Sequence, residues 1–246
     1  MRTPDSDSIH TLDVDSHGNA YLASRPLGSA GDTPLVLYAM APGPKNTSLE
    51  LSGAPNSAGN LLMRNESGQG VILRGSQENA SFLAATAGSN QYYGGEKNDG
   101  LYSGRDNDEL DGGNGDDDYY FAEIHGEDIV TDSGGENTLH FTATGLKLED
   151  IALSVEGNDL EIRAKGHQSN LVRINAWQGK IKGITVGHWS LEGANITPLA
   201  EAMNSFTAVD LSSHYPPGVE ETMQRYWVTL HDDGTQFRMP ATRNSS

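Results

Sequence analysis

The stretch Gly94–Tyr120 reads GGEKNDGLY, SGRDNDELD and GGNGDDDYY, three nine-residue units laid end to end. Glycines at the first, second and fourth positions reach backbone angles that other residues adopt only at a cost, so the first six residues are read as a tight turn. The last three are read as one short strand. Its middle residue, Leu101, Leu110 or Tyr119, points inward while the two neighbours face outward. The sixth position holds Asp99, Asp108 and Asp117. A carboxylate beside turn carbonyls is a hard oxygen site, which suits calcium better than zinc or copper.

The third unit, Gly112–Tyr120, satisfies GGxGxDxUx at every specified position, and the segment resembles the RTX, or haemolysin-type, calcium-binding repeat. The resemblance implies an all-β chain: a parallel β-roll or β-solenoid with calcium-binding turns, then an antiparallel β capping region and a short C-terminal helix. The metal residues it implies are Gly95, Asp99, Gly104, Asp108, Gly113, Gly115, Asp117 and Asp128, with Ca2+ as cofactor. If each unit makes half a coil, units two apart stack, so the turn 94–99 sits over the turn 112–117 and Asp99 and Asp117 share an ion. By the same count Asn90, in the degenerate unit Ala85–Tyr93, stacks on Asp108 and gives a poorer site. Lys97, Ser103 and Asp106 replace glycines, and Lys97 brings a positive charge to the ion, so few sites of modest affinity are expected.

Between Gly94 and Asn137 there are 14 acids against two bases, Lys97 and Arg105. Stacking such turns without cations costs heavily in like-charge repulsion. The alternative is an empty solenoid whose acidic turns are merely solvated. The whole chain of 246 residues carries a net charge of −18, which opposes binding to nucleic acid or to an anionic membrane. With 29 glycines, 35% apolar residues and a mean hydropathy of −0.53, thin repetitive layers are expected rather than one large globular core. No cysteine is present, so disulfides and thiolate metal sites are excluded. No apolar run approaches the ~20 residues of a membrane span, and Met1–His10 lacks the basic-then-apolar order of a secretory signal.

Along the chain, 1–48 is expected to form an N-terminal hairpin and loop region, with strands at Thr11–Asp15 and Ala20–Ser24 and one buried strand at Pro34–Met40. Over 49–93 the bursts SLEL, NLLM, GVIL, ASFL and NQYY recur with repeat-like spacing but without the aspartates, and read as degenerate solenoid coils that cap the acidic ones. The β-roll is placed at 94–147, where two extra residues shift the next aspartate to Asp128 and Asn137 stands where another is expected. The stretch 148–196 alternates in four pieces, Ile151/Leu153/Val155, Leu160/Ile162/Ala164, Val172/Ile174 and Ile184/Val186, with a hairpin turn at Glu156–Asp159. It resembles the haemolysin-type calcium-binding-related domain at Asp150, Gly157, Asn158, Asp159, Leu160, Val172, Ile174 and Trp177, and departs from it at Val186–His188. Over 197–246, Thr197 offers an N-cap and Pro198 a first helical residue, with Leu199, Ala202, Met203 and Phe206 as the apolar stripe. A last hairpin is expected from Tyr226–Leu230 and Thr235–Met239, in the region where the resemblance puts an export signal.

Other motifs carry less. Asp13 and Asp15 echo an EF-hand loop, but His17 and Ser24 are wrong for it. Asp132-Ser133-Gly134-Gly135 matches the nucleophile loop of trypsin-like proteases without the partners such a site requires, and is read as a turn. The eight histidines lack metal-ligand spacing. The resemblance therefore implies a calcium-binding module of a secreted, extracellular bacterial protein. Such a protein is exported through a type I secretion apparatus and folds on meeting calcium outside, as the tail of a larger toxin or adhesin. The alternatives are a recognition module, in which 1–60 or 226–239 contacts a host or cell-surface ligand, and a polysaccharide-acting enzyme on the solenoid face with Asp116 and Asp118 involved.

Overall fold

The computed structural model describes residues 60–66, 68–122, 125–164, 170–204 and 217–230, together with strands at 10–14, 20–24, 35–39, 50–51 and 236–237. Thirteen strands lead into the C-terminal part. They are β1 His10–Val14, β2 Ala20–Ser24, β3 Leu35–Ala39, β4 Glu50–Leu51, β5 Leu61–Asn65, β6 Ile72–Arg74, β7 Ser81–Ala85, β8 Gln91–Gly95, β9 Gly100–Tyr102, β10 Glu109–Gly113, β11 Asp118–Phe121, β12 Glu127–Thr131 and β13 Asn137–Phe141. After them come β14 Ile151–Glu156, β15 Asp159–Ala164, β16 Leu171–Ile174, β17 Ile181–Val186 and β18 Trp189–Glu192, helices α1 Ile196–Asn204 and α2 Pro217–Tyr226, and strands β19 Trp227–Leu230 and β20 Gln236–Phe237.

Odd-numbered strands from β3 to β13 pair in parallel in one sheet, and even-numbered strands from β4 to β12 pair in parallel in a second. The chain therefore alternates between two sheets, one strand in each per coil: a parallel β-solenoid. Register keeps like residues above one another. Met63, Leu83, Leu101, Tyr119, Leu139 and Ile184 form one inward column, and Leu73, Tyr92, Leu110, Val130 and Ile174 face it from the other sheet. All of these are at most 1% exposed, so the period-2 alternation of each short strand is spent on one continuous core that no single coil could bury alone. On the outside, Tyr102, Tyr120 and His140 stack at ring separations of 4.1 and 4.6 Å.

The hairpin expected near the N-terminus is β1 against β2, with Thr11 opposite Ala23. The turn between them lies outside the described residues. Beyond β13 the expected antiparallel region is present. Strand β15 pairs antiparallel with β14 on one side and β16 on the other, and β17 with β18, while β16 also lies parallel to β12 and β17 parallel to β13. These two strands complete a further coil, and the hairpin β14–β15 extends the second sheet past it. Strand β17 turns back through Gly187–His188 into β18, which had no counterpart in the sequence reading.

Helix α1 starts at Ile196, after a short 3-10 turn at Gly193–Asn195, so Thr197 and Pro198 lie inside its first turn and Thr197 is not the cap. Ile196, Leu199, Ala200 and Met203 are its buried side, against β14 and α2. Phe206 lies outside the described residues. Helix α2 was not anticipated, and it precedes β19, which pairs with β18 and with β20 in the expected last hairpin.

Candidate metal centre

The turns between the sheets stack on two edges of the coil. On the edge entering the first sheet, register aligns Ser81, Asp99, Asp117 and Asn137. On the opposite edge it aligns Val71, Asn90, Asp108 and Asp128. Both stackings follow from the 18-residue coil of the repeats, which is 19 residues between Val71 and Asn90 and 20 where the two extra residues enter.

Each Asp and Asn side chain in these ladders accepts the backbone N–H of the residue one coil earlier. Asp99 Oδ1 takes Ser81 N–H at 2.5 Å, Asp117 Oδ1 takes Asp99 N–H at 2.7 Å, and Asn137 Oδ1 takes Asp117 N–H at 2.7 Å. On the other edge Asn90 Oδ1 takes Val71 N–H at 3.2 Å, Asp108 Oδ1 takes Asn90 N–H at 2.7 Å, and Asp128 Oδ1 takes Asp108 N–H at 2.9 Å. The aspartates thus satisfy backbone donors at the mouths of β7, β8, β9 and β10, a structural duty that repeat spacing alone does not announce.

What separates the ladders is the second carboxylate oxygen. Asp108 Oδ2 accepts Gly104 N–H at 3.0 Å, and Asp128 Oδ2 faces His125 Nδ1 at 3.1 Å inside a pocket made by Phe121 and Phe141. Both carboxylates of that ladder have a partner on each oxygen. Asp99 Oδ2 and Asp117 Oδ2 are buried and have no hydrogen-bond partner among the described residues. Each lies in the space that a side chain would fill on the first glycine of its unit: a Cβ on Gly94 would come within 2.6 Å of Asp99 Oδ2, and one on Gly112 within 2.2 Å of Asp117 Oδ2. The missing glycine side chains hold the cradle open.

Burial without a counter-charge raises proton affinity. Asp99 is pushed up to about 6 from an ordinary 3.8 by desolvation. Asp117 is pushed up to about 7, first by burial and then by the charges of Asp132, Asp99 and Asp118. Asp108 rises to about 8, again mainly by burial, with Asp128 adding to it.

The other residues singled out from the sequence fall into place around these turns. Gly95 and Gly113 stack in register, and Gly113 and Gly115 have φ of +95° and +113°. Gly104 supplies the N–H on Asp108. Asp106 takes the fourth-position conformation at φ +74° without being glycine, and its Oδ2 accepts Gly88 N–H at 2.9 Å. Lys97 is exposed. Asp116 Oδ1 accepts Glu136 N–H, and Asp118 faces His140, so these two acids also serve coil-to-coil contacts.

A Cβ on Gly113 would lie 2.1 Å from the Gly95 carbonyl oxygen, in a backbone region where side chains are strained in any case. Gly113→Ala is expected to cost about 3 kcal/mol or more. Urea unfolding with the midpoint converted through a constant slope checks it, and a shift within error of zero would mean the coils are not packed at this distance.

Among the described residues no three His, Cys, Asp or Glu side chains converge as a ready-made ligand set. A hard cation here would be held by the paired oxygens of Asp99 and Asp117 together with turn carbonyls, a donor set of the oxygen-only kind that calcium takes. Among the described residues no helix is long and apolar enough to cross a membrane. The chain matches no protein-family model, and no curated protein sequence matches it at a significant level. By its coordinates it is a parallel β-solenoid carrying two buried polar ladders, one internally satisfied and one not.

Proposed function

We propose that the chain is a calcium-binding module whose β-roll is completed by the ion. The observation that carries this reading is the pair of buried, unpartnered oxygens Asp99 Oδ2 and Asp117 Oδ2, stacked one coil apart beside glycine cradles. A buried carboxylate oxygen without a donor is costly, and a cation on this edge removes the cost. The ion belongs between the turns 94–99 and 112–117, while the Asn90–Asp108–Asp128 edge holds itself together through Gly104 and His125.

Calcium that binds the folded coil and not the open chain makes folding follow its concentration. This suits a protein that stays unfolded where calcium is scarce and folds where it is plentiful, and with the repeat resemblance it supports a secreted, extracellular role through type I export. The recognition alternative places its surfaces at 1–60 and 226–239, most of whose side chains lie outside the described residues.

The test is thermal unfolding in chelator and in calcium. At about ten times the dissociation constant, one occupied site adds about 1.4 kcal/mol, which for a chain of this size raises the midpoint by about 3–6 °C. Identical midpoints in the two media would remove the reading.

A further inference from the structure

The edge that carries Asp99 and Asp117 ends in a charge of the opposite sign. Asp132 stands in the column of first-position glycines, one coil beyond Gly112, and is 3% exposed. Its Oδ1 accepts Gly134 N–H at 2.9 Å, and its Oδ2 accepts the Tyr119 hydroxyl at 2.5 Å, which itself accepts Gly112 N–H at 2.8 Å. This ties the turn 112–117 to the turn 132–137 through buried groups. The acid has moved from the sixth position, now the neutral Asn137, to the first.

Lys180 comes from the next turn on the same edge, immediately before β17. Its Nζ donates to the Asp132 carbonyl oxygen. The lysine backbone is fixed as well: Asn137 N–H donates to its carbonyl at 2.7 Å, and its own N–H donates to the Trp177 carbonyl at 3.1 Å. Burial raises the proton affinity of both Asp132 and the half-buried Asp111; at Asp132 the Tyr119 hydroxyl, the Asn137 amide and Gly134 N–H counter it and the Lys180 charge adds to them, and at Asp111 Gly113 N–H does so with the same ammonium behind it. Asp111 Oδ1, like the oxygens of Asp99 and Asp117, has no hydrogen-bond partner among the described residues. A flexible surface lysine would not be tethered at both its backbone and its ammonium group.

We propose that the Lys180 ammonium is a built-in cation that closes this acidic ladder, so that the coils of β13 and β17 hold their fold without a metal ion and template the turn 112–117. The inference deepens the calcium reading and rests on it for the turns 94–117 only. It divides the edge into a metal-dependent part and a part neutralised by the protein itself.

Hydrogen exchange of the full chain, in chelator and in calcium, tests it. In chelator the wild type is expected to protect 127–141 and 181–192 while 94–108 exchanges about tenfold faster than in calcium. Lys180→Met is expected to speed exchange across 127–141 in chelator by about tenfold or more, because it strands buried carboxylates without their cation. Adding Asp132→Asn to Lys180→Met removes one stranded charge and is expected to return most of that protection, including where Lys180→Met alone opens the whole roll. Unchanged protection of 127–141 in Lys180→Met, or a double variant no better protected than the single one, would overturn the proposal. Equal exchange of 94–108 in the two media would instead count against the calcium reading and leave the lysine to be judged by its own variants.

Discussion

In chelator the protein is expected to lose stability steadily as the pH rises from about 4 to about 8, and calcium is expected to restore the share carried by Asp99 and Asp117. Asp99, Asp117 and Asp108 hold their protons in the folded coil up to about 6, 7 and 8, against an ordinary 3.8 in the open chain. A raised folded value means that the stabilising contribution is complete below the unfolded value and is lost as pH climbs through the folded one. Between those limits the open chain ionises first, and every step upward favours it. Each pH unit of displacement is worth about 1.4 kcal/mol. Three carboxylates displaced by about two units or more therefore account for several kcal/mol, comparable with the stability of a whole domain. Calcium takes the charged carboxylates, so its binding releases protons at neutral pH and its stabilising effect grows with pH. Urea unfolding at pH 5 and pH 8 with and without chelator measures both. Metal-free stability that is flat, or that rises toward pH 8, would mean that the ladder acids are solvated rather than buried.

The second large effect separates the two edges by substitution. Asp99→Asn with Asp117→Asn keeps the Oδ1 acceptors for Ser81 and Asp99 N–H and removes two buried charges. In chelator at pH 8 this double variant is expected to be more stable than the wild type. In calcium it is expected to lose the response, with affinity falling by about 100-fold or more, because carboxylates are the charged ligands an oxygen site depends on. Asn137 and Asn90 already show the amide working at ladder positions. Asp108→Asn is expected to behave differently. Its second oxygen accepts Gly104 N–H, and an amide group there opposes donor to donor at a cost of about 1–3 kcal/mol in either medium. The calcium response would be kept. Calcium titrations of the variants, followed by unfolding in both media, read these signs. A calcium response lost only in Asp108→Asn would put the ion on the other edge.

Much of this was legible because the coil is a repeat. The 18-residue spacing from Asp99 to Asp117 and from Asn90 to Asp108 converts directly into stacking once each unit is taken as half a coil, and the inward places of Leu101, Leu110 and Tyr119 follow from strand alternation. What the spacing does not carry is which oxygen is already spoken for. Gly104 donates to Asp108 across four residues and His125 Nδ1 meets Asp128 across three, both within the turns, so on the edge expected to be poorer the aspartate oxygens already have partners. The pairing of Lys180 with Asp132 spans 48 residues and joins two turns of unlike sequence, and its only sequence trace is the displaced acid in Asp132-Ser133-Gly134-Gly135. The parallel placement of β16 and β17 escaped for a similar reason. Alternating apolar residues define a strand and its buried face, but say nothing of the direction of its neighbour. Helix α2 left a weak signal, Pro217 at its first residue and Val219, Met223 and Tyr226 at helical spacing, in a segment with few other apolar residues.

The most direct measurement is a calorimetric calcium titration of chelator-stripped protein, with far-UV circular dichroism taken on the same samples. The account predicts binding in the ~10⁻⁴–10⁻³ M range of extracellular calcium modules, accompanied by a gain of β signal. No heat and no spectral change would contradict it, and would mean that the buried oxygens of Asp99 and Asp117 are neutralised by protons alone.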